Sequence, residues 1–270
     1  MKTKAVINNP LLRWAGGKSW MIEQICSFMP INYHNYHEPF VGGGSVFFNI
    51  ERAGKTFISD SNRELICFYQ VVKSNLHELL FLLSQFKNSE KEYYEIRQWS
   101  PITNVEIAAR FYYLNRTCFN GLYRVNQGGN FNVPYGFRKI SVLDFDRFES
   151  FSSKLKNVNI SCDDFEQAFR KVMKGDFVFI DPPYTVAHNK NGFIEYNQKI
   201  FTWQDQERLF RAIQTLMEKG AYFLMTNACH DSIKTLYKGT GKHFEIERFS
   251  TVSGAMNSRQ KISELIITNC

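Results

Sequence analysis

Hydrophobic and polar positions follow a pattern of short buried strands separated by amphipathic helices. Compact apolar runs, typical of strands buried in a sheet, cover residues 36–41, 56–59, 158–161 and 177–180. Later strands are predicted over residues 222–225, 243–249 and 262–268. Helical spacing predicts helices over residues 45–52, 62–86, 90–99, 105–118, 165–173 and 203–218. This alternation indicates an α/β fold with a mostly parallel sheet and helices on both faces.

Local signals predict where some of these elements begin and end. Thr202 is suited to cap the helix that ends at Glu218, and Gly220 stands where a helix stop is expected. Between residues 74 and 140 the pattern changes to helices followed by an Asn- and Gly-rich stretch. The Gln-Gly-Gly-Asn sequence at residues 127–130 predicts a β-hairpin. We therefore expect a small inserted domain over residues 74–140.

Composition indicates a globular chain rather than a disordered or fibrous one. Hydrophobic residues make up 44% of the 270 positions and charged residues 22%. No run of eighteen apolar residues occurs, so no membrane-spanning helix is expected. Lys2 and Lys4 are not followed by the apolar core of a secretory signal, and a cytoplasmic location is the default expectation.

The charge distribution favours a polyanionic partner. The formal net charge is +7, and residues 107–143 contain no carboxylate. That stretch carries five cations, which favours nucleic acid over a simple solvated face: Arg110, Arg116, Arg124, Arg138 and Lys139. The six cysteines form no C-x-x-C pair, so we expect reduced cysteines and no metal site.

A glycine-rich turn follows the first predicted strand, in the sequence Glu-Pro-Phe-Val-Gly-Gly-Gly-Ser at residues 38–45. Glycines at a strand-to-helix junction allow a ligand to approach the backbone closely. Phe47 stands where a nicotinamide-binding motif would have its third glycine, which argues against that cofactor. Asp60 ends the next strand and can accept hydrogen bonds from ribose hydroxyls. A turn without a ligand, and an Asp60 that only caps the following helix, remain the alternatives.

The most specific motif is Asp181-Pro182-Pro183-Tyr184, directly after an apolar strand. The two prolines force an extended exit from the strand. The Asp181 carboxylate and the Pro182 carbonyl can then converge on a planar amino group, while Tyr184 offers a ring for an aromatic base. A purely structural Pro-Pro turn is the alternative.

A second glycine-containing segment resembles a nucleotide-binding loop only at its end. Gly17-Lys18-Ser19 matches the last residues of a Walker A loop. Leu12 occupies the position of the first glycine, and no strand precedes it. The sequence therefore argues against a P-loop.

Taken together, these motifs make the chain similar to Dam-type DNA adenine-N6 methyltransferases. In this class the glycine motif precedes the target-recognition region, and Asp-Pro-Pro-Tyr is the last of the motifs. The resemblance covers nearly the whole length. Besides the glycine turn, Asp60 and residues 181–184, it rests on residues 14–18, 114–116, 120–122, 124 and 131–134. It implies a Rossmann-like S-adenosylmethionine-dependent methyltransferase sheet in residues 1–73 and 141–270, with a helical and hairpin target-recognition domain in residues 74–140.

The resemblance also implies roles for individual residues. S-adenosylmethionine is the expected methyl donor, and its expected contacts are Trp14, Lys18, Phe40, Gly42, Gly44, Asp60, Asp164, Phe165 and Asp181. The expected catalytic group is Asp181, Pro182, Pro183 and Tyr184. Double-stranded DNA, with GATC as the expected target, is the expected partner, and its expected contacts are Arg13, Arg116, Phe119, Asn120, Leu122, Arg124, Pro134 and Arg138.

The expected mechanism begins with extrusion of the target adenine from the duplex, because its amino group is out of reach inside the stack. Leu122 or Phe119 would wedge into the gap and Arg124 would read a guanine edge. Phe119 stands where the family pattern leads us to expect tyrosine, so a hydroxyl contact is lost while stacking is kept. Arg116, Arg138 and Lys139 would hold phosphates.

Two other functions remain open at this point. A methyltransferase acting on RNA adenine would use the same motifs, whereas Asp181 speaks against a protein-glutamine methyltransferase, in which asparagine is expected. A catalytically silent DNA-binding regulator would not need the intact glycine turn and Asp-Pro-Pro-Tyr. Residues 262–270 are assigned no functional role, and core packing or a surface position is expected for them.

Overall fold

The computed structural model describes residues 9–121, 123–124, 131–137, 144–185, 201–251 and 259–270. Its strands are β1 (Tyr36–Glu38), β2 (Thr56–Ser59), β3 (Val158–Ser161), β4 (Phe177–Ile180), β5 (Tyr222–Ala228), β6 (Lys242–Thr251) and β7 (Arg259–Thr268). Its α-helices are α1 (Ile22–Phe28), α2 (Arg63–Ser74), α3 (Leu76–Ser84), α4 (Glu90–Gln98), α5 (Asn104–Thr117), α6 (Phe145–Leu155), α7 (Phe165–Arg170), α8 (Trp203–Glu218) and α9 (Asp231–Leu236). Short 3₁₀ turns cover Ser19–Met21 and Phe119–Gly121.

The described strands form one seven-stranded sheet in the order β3-β2-β1-β4-β5-β7-β6. Strand β4 pairs in parallel with β1 and with β5, whereas β7 runs antiparallel to both β5 and β6. The parallel strands need helical crossovers, which explains the alternation of strand and helix patterns along the chain. The predicted mixed α/β methyltransferase-type sheet is confirmed.

The chain divides into two compact units. The first comprises residues 1–23, 41–51 and 57–162. Its core is unusually aromatic, with large rings packed at centroid distances of 4.0 to 6.4 Å between helices α2, α5 and α6 and the segment after the glycine turn. The buried rings of this cluster include Phe48, Phe68, Phe111, Tyr112, Phe148 and Phe151.

The second unit comprises residues 24–40, 52–56 and 163–270. Its core is formed by β4, β5 and β7 packed against α7, α8 and α9. All four residues of β4 are buried, as the continuous apolar run predicted. Thr202 and Asp205 form a reciprocal capping box at the start of α8, and Gly220 adopts a φ of 75° just after its end.

Two helix predictions were wrong. Residues 45–52, expected to form a helix, form successive turns, and the Asn49 side chain donates to the Ser45 carbonyl, a bond that competes with helical pairing. Every residue from 45 to 50 is buried, so the segment has no solvent face of the kind an amphipathic helix presents. The helix predicted over residues 62–86 is two helices, because Asn75 leaves helical geometry with a φ of −133°.

The remaining element predictions agree with the structure to within a few residues, with strands β5, β6 and β7 longer than expected and α7 shorter. The predicted hairpin turn at residues 127–130 lies outside the described residues. The assignment of residues 74–140 to target recognition stays a prediction. No helix in the described part of the chain combines the length and apolarity that crossing a bilayer requires.

Candidate active site

In the first unit, the glycine turn is built around the ring of Trp14. Gly42 has a φ of 46°, in the left-handed region that favours glycine. A Cβ at Gly42 would lie 2.8 Å from Trp14 Cδ1, and one at Gly43 would lie 2.8 Å from Trp14 Cβ. Both contacts are closer than side chains tolerate, so glycine is required for this indole to pack on the turn.

Asp60 ties the end of β2 to the same turn. Its Oδ2 accepts from the Gly42 N–H at 3.1 Å, and its Oδ1 accepts from the Asn62 N–H at 2.9 Å. Burial raises the pKa of Asp60, and these backbone hydrogen bonds oppose the rise. Each carboxylate oxygen has a second lone pair, so Asp60 has acceptor capacity for a ribose hydroxyl. Asn62, rather than Asp60, caps helix α2.

Lys18 is buried in the first unit and does not extend into solvent. Its ammonium donates to the Gly16 carbonyl at 2.6 Å, just before the short 3₁₀ turn. The Walker A interpretation stays rejected, because a turn at residues 15–16 precedes Lys18, where a P-loop would have a strand before it.

The predicted DNA-contacting residues of the first unit converge on the turn after α5. Phe119 is 52% exposed, and its N–H donates to the carbonyl of the exposed Pro134 at 2.8 Å. Asn120 is exposed in the left-handed region with a φ of 56°, a conformation that asparagine tolerates better than most residues. Arg13 packs along Gly121, where an added Cβ would lie 2.1 Å from Arg13 Cδ.

Arg124 and Arg116 are placed differently from each other. Arg124 is exposed, and its Nε donates to Asn132 Oδ1 at 3.0 Å. The terminal guanidinium nitrogens take no part in that bond. Arg116 is half-buried, and its buried Nε has no hydrogen-bond partner among the described residues. Leu122 and Arg138 lie outside the described residues, so their DNA contacts stay predictions.

Tyr123, which follows the turn after α5, connects that part of the chain to the surroundings of the glycine turn. Its ring stacks on Trp14 with centroids 5.5 Å apart and planes 20° from parallel. Its hydroxyl donates to Glu64 Oε2 at 2.5 Å, and Glu64 lies in the first turn of α2. The sequence analysis assigned no role to Tyr123 or Glu64.

In the second unit, Asp181 directly follows the buried strand β4. Thr226 of β5 donates its hydroxyl to Asp181 Oδ1 at 2.6 Å. Pro182 is buried, and residues 181–185 form neither helix nor strand, in keeping with two consecutive prolines. The carboxylate is therefore held at the carboxyl end of the central strand, where open α/β sheets bind their ligands.

Tyr184 is held by a carboxylate from β7. Its hydroxyl donates to Oε2 of Glu264 at 2.9 Å, and Glu264 is only 5% exposed. Burial raises the pKa of Tyr184 well above its ordinary value, and the neighbouring carboxylates of Asp181 and Glu264 raise it further. Tyr184 is therefore a neutral phenol whose hydroxyl is turned toward Glu264, and its chemistry is that of an oriented ring rather than a base.

Phe40, Phe165 and Asp164 also lie in the second unit. The Phe40 and Phe165 rings stack with centroids 5.6 Å apart, and the Arg208 guanidinium lies 4.9 Å from the Phe165 centroid. Asp164 caps α7 by accepting from the Glu166 N–H and also binds Arg208 at 3.1 Å. Phe165 is buried among these groups, so adenine contact through its ring face stays a prediction that the geometry does not favour.

Thr226 and Glu264 are the residues that sequence reasoning missed. Residues 262–270 were assigned no functional role, yet Glu264 binds the tyrosine of the Asp-Pro-Pro-Tyr motif. The available signal was the position of Glu264, a carboxyl group directly before the apolar run Leu265-Ile266-Ile267. Thr226 gave no comparable signal, because its role depends on the pairing of β4 with β5.

No group of three or more His, Cys, Asp or Glu side chains in the described ranges could hold a metal ion. The candidate chemistry rests on two features of the described chain. One is the glycine turn with Asp60, and the other is the Asp-Pro-Pro-Tyr corner after β4. Together with the sheet order, they define a methyltransferase-type α/β protein.

Comparison with known proteins narrows this class. Residues 14–252 match the family model of the D12 class N6 adenine-specific DNA methyltransferases, and the chain belongs to this family. It is 37% identical to the Type II methyltransferase M1.LlaDCHI of Lactococcus lactis subsp. cremoris, over 96% of this chain and 95% of the relative. It is 32% identical to a DNA adenine methylase of Vibrio cholerae over 94% of both chains.

A third relative shows that the similarity extends beyond bacteria. The chain is 35% identical to the Type II methyltransferase M.MjaIII of Methanocaldococcus jannaschii, over 96% of this chain and 98% of the relative. Since each of these alignments spans nearly both partners, the family assignment applies to the whole chain and not to one segment of it.

Proposed function

We propose that this protein transfers the methyl group of S-adenosylmethionine to the N6 amino group of adenine in double-stranded DNA, with GATC as its target. The family assignment supports the adenine-N6 reaction. The observation that carries the proposal is the Asp181 carboxylate, held by Thr226 at the end of β4. The choice of GATC rests on the resemblance in the recognition segment and on relatives named DNA adenine methylase.

The residues of the first unit fit a nucleoside donor. The backbone of the left-handed Gly42 lies beside the Trp14 indole with no side chain of its own between them. The Asp60 carboxylate has acceptor capacity for ribose hydroxyls. Lys18 and Gly44 of the first unit are further proposed contacts, and so are Phe40, Asp164 and Phe165 of the second unit. When bound, the donor would supply an electrophilic methyl group on a sulfonium, with the neutral thioether as leaving group.

The residues of the second unit fit the acceptor amine. In the proposed mechanism, the Asp181 carboxylate and the Pro182 carbonyl accept hydrogen bonds from the two N–H groups of the adenine amino group. They thereby direct the lone pair of its nitrogen toward the methyl group. Pro183 keeps the corner extended, and Tyr184 stacks on the extruded base. Orienting the reacting atoms in this way lowers barriers by several kcal/mol without acid–base catalysis.

Residues 74–140 are proposed to recognise the DNA. Phe119 and Leu122 would fill the gap left by the extruded base, while Arg13, Asn120, Arg124 and Pro134 would approach base edges. Arg116 and Arg138 would hold phosphates, in keeping with the absence of carboxylates from residues 107–143. The exposure of Phe119, Asn120, Arg124 and Pro134 supports this assignment.

The test is transfer of labelled methyl groups to matched duplexes that contain GATC or its permutation GTAC. We expect label on GATC duplexes and N6-methyladenine among the digested nucleosides. Label on cytosine, or equal label on both duplexes, would contradict the proposal at the level of the base or of the sequence respectively. RNA duplexes of the same sequence test the RNA alternative.

Asp181→Ala tests the site itself. We expect methyl transfer to be nearly abolished, because the amino group loses an acceptor that orients it. Binding of S-adenosylmethionine to the wild-type protein separates an enzyme from a silent regulator, which could fail to bind. Wild-type turnover by the Asp181→Ala variant would remove Asp181 from the mechanism.

A further inference from the structure

We propose that Thr226 and Glu264 are positioning residues for methyl transfer: Thr226 orients the Asp181 carboxylate, and Glu264 orients the Tyr184 ring. This inference rests on the proposed function, because it assigns roles toward the reaction described there. Neither residue belongs to the motifs that the sequence analysis singled out.

The strand register places these groups on one face of the sheet. Ile180 is level with Met225 in the parallel pair of β4 and β5, so Asp181 is level with Thr226. In the antiparallel pair of β5 and β7, Ala228 lies opposite Glu264 and Thr226 lies opposite Ile266. Side chains two apart on a strand point to the same face, so Thr226 and Glu264 are diagonal neighbours.

Each positioning residue makes a hydrogen bond of good geometry to the motif, and the Thr226 side chain is also hydrogen-bonded to Tyr184. Thr226 Oγ1 donates to Asp181 Oδ1 at 2.6 Å, and Tyr184 donates to Glu264 Oε2 at 2.9 Å. The two bonds reach the first and the last residue of Asp-Pro-Pro-Tyr. They therefore fix the side chains on either side of a proline pair whose backbone is already restrained.

The burial of Glu264 supports a role beyond packing. Glu264 is 5% exposed and is followed by Leu265, Ile266 and Ile267, which are fully buried. Burying a carboxyl group costs free energy, and an apolar residue would fill the same position without that cost. The hydrogen bond from Tyr184 offsets part of this free-energy cost.

Thr226 has a matched control on β7. Thr268 is also a buried threonine of this sheet, but its hydroxyl donates to the Phe223 carbonyl at 2.6 Å and not to the motif. Thr226→Val and Thr268→Val each remove one buried threonine hydroxyl from the same sheet, and the Thr268 hydroxyl also accepts from the Cys270 N–H. A loss of activity caused only by weakened folding would appear in both variants.

We expect Thr226→Val to lower kcat by roughly 10- to 100-fold, because small misplacements of an orienting group cost about that much. KM for duplex DNA and for S-adenosylmethionine should stay within about twofold in this variant, which is well below the tenfold that 1.4 kcal/mol of binding energy represents. Thr226→Ser keeps the hydroxyl and should recover most of the rate. Thr268→Val should keep the wild-type kcat.

Glu264 is tested through its partner in a double-mutant cycle. Glu264→Leu should lower kcat, and Glu264→Gln should recover much of it because the amide oxygen still accepts from Tyr184. In a Tyr184→Phe background, Glu264→Leu should have little further effect, since the hydroxyl it acts through is absent. Additive effects would mean that Glu264 does not act through Tyr184.

The outcomes separate the two levels of the proposal. If the wild-type protein places no methyl on adenine, the proposed function fails and the positioning roles fail with it. If the wild type is active but Thr226→Val matches it, or if Thr268→Val loses as much activity, the positioning role of Thr226 is overturned while the function stands. Melting temperatures of all variants show whether each one folds.

Discussion

The Asn115 side chain makes two hydrogen bonds to the backbone of Arg13, a residue 102 positions earlier in the chain. Asn115 Oδ1 accepts from the Arg13 N–H at 2.9 Å, and Nδ2 donates to the Arg13 carbonyl at 2.8 Å. Asn115 is fully buried on α5, four residues before the exposed Phe119. A single amide therefore fixes the segment that carries both Arg13 and Trp14.

Asn115→Ala should weaken DNA binding by displacing Arg13. The variant removes two partly buried hydrogen bonds to the Arg13 backbone, which should also lower the free energy of unfolding by about 1–3 kcal/mol. The binding loss should be largely absent when Asn115→Ala is added to Arg13→Ala, because both changes act through the same guanidinium. Anisotropy with a labelled GATC duplex measures binding, and urea unfolding measures stability.

Full additivity of Asn115→Ala and Arg13→Ala in DNA binding would contradict this coupling. Asn115→Asp is a useful intermediate, because its carboxylate still accepts from the Arg13 N–H but cannot donate to the carbonyl. We expect its DNA affinity to lie between those of the wild type and Asn115→Ala.

Gly43→Ala should weaken binding of S-adenosylmethionine by displacing Trp14. The added Cβ would lie 2.8 Å from Trp14 Cβ, an atom that moves only with the backbone. Overpacking of this kind costs about 1–3 kcal/mol. Calorimetric titration of the variant with S-adenosylmethionine measures the effect without DNA.

Gly239→Ala provides the comparison for Gly43→Ala. Gly239 has a φ of 86° but no atom within 4 Å of an added Cβ, so alanine there introduces backbone strain without a clash. We expect normal cofactor affinity in Gly239→Ala. Normal affinity in Gly43→Ala as well would separate Trp14 and the glycine turn from cofactor binding.

Most of the architecture follows from local sequence signals, because those signals act over a few residues. The Thr202 and Asp205 capping box, the Gly220 helix stop and the apolar run of β4 all act locally, and all appear in the structure. Asp60 and Asp181 were placed correctly at strand ends for the same reason. Local signals in the sequence were therefore enough to predict which strand ends carry the candidate functional carboxylates.

Features that depend on pairing between distant segments were missed. Thr226 reaches Asp181 across 45 positions, and Tyr184 reaches Glu264 across 80. No periodicity in one segment reports the register of another. The helix break at Asn75 was missed for a different reason, since apolar residues continue at helical spacing on both sides of it.

His37 should make stability depend on pH below neutrality. His37 is buried and hydrogen-bonded to Asp176 at 2.9 Å; burial lowers its pKa from 6.5, and the Asp176 carboxylate only partly offsets this. Because the folded-state pKa lies below the unfolded value, the unfolded chain binds more protons as pH falls through about 6.5. Stability should therefore be complete above that pH and decline below it.

The measurement is the free energy of unfolding of wild type and His37→Asn between pH 8 and pH 5.5, where His is the ordinary titrating side chain. His37→Asn should be less stable at pH 8, because it loses the native imidazole contact. Its stability should fall less steeply than that of the wild type as the pH is lowered. Parallel curves would show that His37 does not contribute to the pH dependence.

Arg124→Ala should relax the sequence preference of methylation more than it weakens cofactor binding. Arg124 is exposed and is oriented by a hydrogen bond from its Nε to Asn132, which suits a guanidinium that reads a guanine edge. Loss of a bidentate contact removes about 1–3 kcal/mol of discrimination, so near-cognate duplexes should gain relative to GATC. Arg211→Ala removes an equally exposed positive charge from α8 and should leave the preference unchanged. Relative kcat/KM over duplexes with single base-pair changes measures this effect, and the same ranking for wild type and Arg124→Ala would exclude Arg124 from base recognition.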